Sequence, residues 1–197
     1  METCWVKIKE WISKNFPPIL DTLNEGATDD DICKLESELG VKLPTDFIEF
    51  YKVHNGQSWT HLSLFDSDRL LSTDEIIREW SGWNSVLPEI NAICIEMSGK
   101  PASSDPEPGI KDYWWNAAWI PITANGSGDN YCIDLDPTPE GTKGQIIRMW
   151  HDMPWRELVA PSFKDWILKY VADLENGVYI ISEDIGIGGI IKPLQNA

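Results

Sequence analysis

The stretch "WIPITANGSGDNYCIDLDP", residues 119–137, constrains the chain most. Two runs of strand-forming residues, 119–123 and 131–136, flank an interval filled with Asn, Gly, Ser and Asp. That pattern predicts an antiparallel hairpin with its turn at 125–130, where residues tolerant of positive φ collect. "PTPEGTKG" then reads as a second turn and "QIIRMW" as the next strand, so the hairpin extends into a meander.

The turn matches no metal or phosphate loop in full. A calcium loop needs Gly at its sixth position and Glu at its twelfth. Asn125, Ser127 and Asp129 alternate, but Gly126 and Gly128 are misplaced and no Glu follows. A dinucleotide cradle needs a third Gly and a following helix, whereas "GSGDNY" leads into a strand. Asp134 and Asp136 alternate with Ile133 and Leu135. On a strand both carboxylates face one way, roughly 7 Å apart, which suits an acid–base pair and equally a wet sheet face. The second reading, surface or interface carboxylates, is preferred. His54, His61 and His151 show no metal-ligand spacing, and no Gly-x-Ser-x-Gly elbow is present. No catalytic residue, metal site or cofactor is expected.

Helical periods surround this meander. They fall at 2–14, at 30–39 with Gly40 as its stop, at 45–54, and at 163–175 after Ser162. Ser72 with Glu75 three residues on is a capping-box pattern that starts a further helix. A short strand is expected at 62–65, a buried one at 91–96 ("NAICIE"), a Pro-rich loop at 98–112, and a strand at "VYIIS". "IGIGGII" near the end fits no single class. These elements predict an α+β fold, an antiparallel sheet of hairpins packed by several helices, in one domain over 1–197.

The net charge of −16, from 32 acidic and 16 basic residues, argues against direct binding to nucleic acid or an anionic membrane. Four scattered cysteines suggest free thiols rather than a disulfide framework. "METCWVKIKEWISKNF" lacks the apolar run of a signal peptide, so a cytoplasmic location is expected. Eleven tryptophans exceed what packing needs, and "DYWWNAAW" brings Trp114, Trp115 and Trp119 together, as core or as a partner-binding patch.

"DICKLESELGVKLPTDFIEFYKVHNGQ" resembles the first motif of the SMI1/KNR4 family, also called the SUKH superfamily. Ile32, Leu35, Glu36, Gly40, Leu43, Pro44, Asp46, Phe50, Asn55 and Gly56 carry the likeness. Trp119, Pro121, Gly128, Asp129, Asp134, Pro137, Gly141, Gly144 and Gln145 resemble the second motif. Ala160, Ser162, Phe163, Leu174, Glu175 and Gly177 resemble the closing helix, so the likeness covers about 28–180. The resemblance implies a non-catalytic α+β domain that binds proteins. Bacterial members look like immunity proteins that neutralise a toxin, often a nuclease; fungal members look like regulators of cell-wall glucan synthesis. The acidic excess tips the expectation toward the first, with a basic toxin as partner. The expected contacts are Asp129, Asp134, Asp136, Trp114 and Trp115.

Overall fold

Trp5, Ile8 and Ile12 share one face of helix α1 (Glu2–Asn15), and all three are fully buried. The structure, a computed structural model, describes residues 1–183 and 188–192. Pro17 opens a 3-10 turn, Pro17–Thr22, that ends α1. Helix α2 (Asp29–Leu39) starts on a capping box between Thr28 and Asp31 and stops at Gly40, whose φ is 66°. Helix α3 covers only Thr45–Tyr51, three residues fewer than its apolar pattern suggested. Helix α5 (Phe163–Glu175) begins at Ser162, whose hydroxyl accepts from the Asp165 N–H.

Helix α4 departs most from expectation. The Ser72–Glu75 capping box starts it, but it runs through Thr73–Ser98 and absorbs the expected strand at 91–96. "NAICIE" has strand-like composition, yet the helix already running from Ser72 passes Pro88 and propagates through it. It ends at Gly99 in the left-handed region, φ 76°.

The central sheet has five strands in the order β3 (Asp105–Pro106), β8 (Trp155–Ala160), β7 (Gln145–Met149), β6 (Asn130–Asp134) and β4 (Trp119–Pro121). All pairs are antiparallel except β3 with β8. The expected hairpin is present, with Ile120 opposite Ile133 and Ile133 opposite Ile146. Strand β5 (Thr123–Ala124) pairs with β2 (Arg69–Leu70). A small sheet joins β1 (Leu62–Ser63), β10 (Gly188–Ile191) and β9 (Ile180–Glu183). The last two strands cover parts of "VYIIS" and "IGIGGII"; residues 185–187 of the latter lie outside the described residues.

Both faces of the central sheet are covered. Ile120, Ile133 and Ile146 join the main core with Phe47, Phe50, Phe163 and Trp166. Trp119, Cys132, Ile147 and Met149 face the other way and pack with Ile110 and Trp115 under Trp80, Trp83 and Leu87 of α4. A half-wet sheet would expose Asp134. In the structure α4 and the segment before β4 close that face.

Phe50 is fully buried, stacks on Trp5 at 4.4 Å and meets Phe163 edge-on at 5.4 Å. Pro44 only caps α3, without a side-chain hydrogen bond. Phe50→Ala is therefore expected to cost about 3–5 kcal/mol in denaturant unfolding, and Pro44→Ala about 1 kcal/mol or less. Similar small losses for both would show that the aromatic stack does not carry the helical layer.

Candidate functional site

Pairing of β2 with β5 sets Arg69 opposite Ala124 and so brings the 57–63 loop and the start of α4 beside the hairpin turn. Between them lies a cleft of about 920 Å³. Trp59, Arg69, Glu75 and Arg78 line one side, and Asn125 to Gly128 line the other.

The cleft is built on one ion pair. Arg69 Nη1 and Nη2 donate to the two Glu75 carboxylate oxygens at 3.0 and 2.8 Å, and Nη1 also donates to the Gln57 carbonyl at 3.1 Å. The same Glu75 accepts from the Ser72 N–H and hydroxyl, both at 2.9 Å, so the helix cap and the ion pair share one carboxylate. Burial pushes Glu75 up, but Arg69 and Ser72 outweigh it, and its pKa lies below the ordinary 4.5. The Arg69 guanidinium carbon sits 5.1 Å from the Trp59 ring centroid. Trp59 is 78% exposed. Arg78 is also largely exposed, 3.9 Å from Glu75.

The opposite rim is held rigid. The Asn125 side chain accepts from the Ser127 and Asp129 N–H groups at 2.8 and 3.2 Å and donates to the Asp129 carboxylate at 2.7 Å. Asp129 also accepts from the His151 N–H at 2.9 Å and the His151 ring Nδ1 at 2.8 Å. Gly128 has φ 107°, and a Cβ there would meet the His151 Cβ at 3.0 Å, so only glycine fits. Burial raises the Asp129 pKa, but these donors win and hold it below 3.8.

Asp129, His151 and Asp152 form the one group of metal-capable side chains among the described residues, with ligand atoms within 4.8 Å. Two of its three groups, Asp129 and His151, are already hydrogen-bonded to each other. An ionised Asp129 only accepts, so the 2.8 Å contact puts a proton on His151 Nδ1.

The five residues expected to touch a partner do not form one surface. Asp134 is fully buried, accepting from Gln145 Nε2 and the Asp136 N–H, both at 2.9 Å, and burial raises its pKa. Trp115 is buried against Trp83, with ring centroids 5.4 Å apart. Neither presents a surface for contact, because the face expected to be wet is covered. Asp129 is buried beneath the turn. Asp136 lies past the end of β6, so strand alternation does not govern it. It is partly exposed and paired with Lys111 at 2.6 Å. Trp114 is half-buried over Arg156, whose guanidinium donates to the Met153, Trp155 and Trp114 carbonyls. Burial lowers Arg156 to about 10.

In the sequence Glu75 is legible only as a cap, and Trp59, Arg69 and Arg78 do not stand out as a group. The usable signal was an isolated Trp in polar "GQSWTH". Nothing local marked the two arginines. Because Glu75 titrates below 4.5 in the fold, its stabilisation is present above pH 4.5 and is lost as pH falls through the folded pKa. Glu75→Ala is expected to cost about 2–4 kcal/mol at pH 7. The gap from the unsubstituted chain, measured in urea, should narrow steadily below pH 4.5. A gap constant down to pH 3 would remove the ion pair from this account.

Comparison with known proteins adds the family context. No described helix is long and apolar enough to cross a membrane. The chain is 29% identical over 209 residues to the "Glucan synthesis regulatory protein" of Neurospora crassa, covering 91% of this chain and 39% of that protein. It is 29% identical over 187 residues to the "Cell wall biosynthesis/cell cycle regulator smi1" of Schizosaccharomyces pombe, covering 91% and 37%. It is 25% identical to the "Cell wall assembly regulator SMI1" of Saccharomyces cerevisiae, covering 91% and 41%. The chain thus spans about two fifths of these relatives. Their names describe regulators rather than enzymes. They favour the cell-wall alternative over the immunity-protein expectation and lend that expectation no support. With the SMI1 / KNR4 family (SUKH-1) model matching residues 26–169, the chain belongs to that family.

Proposed function

We propose that the chain is the protein-binding module of a regulator of cell-wall glucan synthesis, and that it docks its partner at the Trp59 cleft. The printed names of the fungal relatives support the regulatory role. The observation that carries the site is Trp59. Its indole is 78% exposed, yet it rests on a guanidinium fixed by the part-buried Glu75 carboxylate. A large ring held out on a rigid support is the form of an interface anchor. The hairpin turn forms a preorganised opposite wall, which lowers the entropy cost of docking.

The cleft is suited to recognition rather than catalysis. Its carboxylate is engaged by Arg69 and the Ser72 cap, and Glu79 accepts from the Asn130 amide at 3.2 Å. The net charge of −16 favours a basic partner by steering its approach. Asp136 and Trp114, the expected contacts that stay partly exposed, belong to a secondary surface in this reading.

The test places this chain in the budding-yeast regulator in exchange for the segment it matches, in a strain lacking that protein. The chimaera is expected to restore growth on a cell-wall-binding dye and to restore glucan content. Trp59→Ala should reduce both, with an unchanged thermal midpoint for the isolated chain. Its binding loss should be on the order of tenfold or more. A chimaera that restores nothing would reject the regulatory role. Full restoration with Trp59→Ala would move the docking site away from the cleft.

A further inference from the structure

The second half of α4 carries a surface that neither the cleft nor the core uses. Its last buried side chain is Ile76. Beyond Trp83, which stacks on Trp115, and Leu87, which packs on the second cluster, the helix is progressively exposed. Val86 is 42% exposed, Ile93 50% and Met97 83%, and Ile90 is half-buried beside them. These residues are not scattered. Val86, Ile90, Ile93 and Met97 follow one another at steps of four, three and four, and Trp83, three residues earlier, continues the register into the core. That is the a/d spacing of a seam that packs against another helix.

The positions beside the seam decide what the other helix must look like. With Trp83 at a and Val86 at d, Glu89 and Glu96 both occupy g, and Leu87 and Cys94 occupy e on the side facing the body. Residues 79–99 include three Glu and no Lys or Arg. Glu89 and Glu96 are exposed, and neither forms an ion pair among the described residues. The helix C-terminus adds partial negative charge, and its last turn holds no basic residue to offset it. A second copy of this chain would bring glutamate rows together in an antiparallel pair. In a parallel pair it would set them against the uncharged Leu87 and Cys94, the first of which already packs on the second cluster.

We propose that the projecting half of α4 docks an amphipathic helix from a partner protein. That helix has apolar a and d residues and lysine or arginine beside them, facing Glu89 and Glu96. The apolar seam supplies the contact, and the glutamates select charge and orientation. This surface is separate from the Trp59 cleft, and its occupation does not depend on the cleft being used.

The test uses the full chain and two labelled three-heptad peptides with Leu at a and d. One carries Lys at e and g, the other Glu. Fluorescence anisotropy is expected to show the Lys peptide binding at least tenfold more tightly than the Glu peptide. Ile93→Asp should weaken Lys-peptide binding at least tenfold, with no change in thermal midpoint, because the position is exposed. Glu89→Lys with Glu96→Lys should invert the preference between the peptides. Trp59→Ala should leave all of this unchanged, which separates failure here from failure of the cleft. Equal binding of both peptides, or binding indifferent to Ile93→Asp, would overturn the proposal. So would a dimer in light scattering that Ile93→Asp dissolves, which would assign the seam to a second copy. Sedimentation with phosphatidylcholine vesicles, abolished by Ile93→Asp, would assign it to lipid and overturn the proposal equally.

Discussion

The Asp68–Arg148 pair is the tie on which the arrangement of strands depends. Asp68 is fully buried at the end of a tight turn in which Asp66 and Ser67 take φ of 41° and 72°. Arg148, on β7, reaches across to donate to both its oxygens, at 2.5 and 3.2 Å, and the Thr123 hydroxyl donates at 2.6 Å. Burial pushes the Asp68 carboxyl up while Arg148 and Thr123 oppose it. The guanidinium lies between Tyr131 and Trp150, 4.4 and 4.6 Å from their centroids. One contact therefore joins the turn before β2, the β2–β5 pair and the centre of the main sheet. Removing either partner would strand a buried charge, which costs about 3–5 kcal/mol, so the strands it joins are held in one relation. The cleft wall inherits that relation, since Arg69 directly follows Asp68.

Several residues that carry the family likeness are polar ties as well. Glu36 accepts from Lys42 and the Leu43 N–H, and Asp46 accepts from the Lys164 N–H at the start of α5. Asn55 exchanges hydrogen bonds with Thr73, and a Cβ on Gly56 would meet the Ser72 nitrogen at 2.4 Å. Gln145 bridges Asp134 and the Gly109 carbonyl, and Gly141 lies so close that a Cβ would meet that carbonyl at 2.3 Å. Two families of polar contacts thus coexist. One set ties segments of the scaffold together and includes motif residues, whereas exposed groups such as Trp59, Arg78 and Glu89 lie outside the motif. Surface groups outside the motif can therefore vary without changing the fold.

Much of the fold was legible because its signals are local. The hairpin at 119–134, the capping boxes at Thr28 and Ser72, the stop at Gly40 and the stripes of α1, α2 and α5 each depend on residues within one or two turns. The misreadings share one cause. "NAICIE" has the composition of a strand, and Asp134 has the alternation of a wet face. Each was settled by something distant: a helix started at Ser72, and a second apolar layer laid over the sheet.

Sequence alone determined that this chain is acidic, α+β, hairpin-based and of the SMI1/KNR4 type, because charge, period, capping and turn chemistry are written in neighbouring residues. Only the tertiary structure decided which polar groups are ties and which are free. Asp134 and Asp136 sit two apart and look equivalent, yet one is fully buried and held by Gln145 while the other reaches Lys111 at the surface. Exposure depends on what packs over a residue, and that comes from segments tens of positions away. The same reason hid Trp59 and the α4 seam. Their standing as surfaces follows from layers that fail to cover them, and no local pattern records where a layer stops.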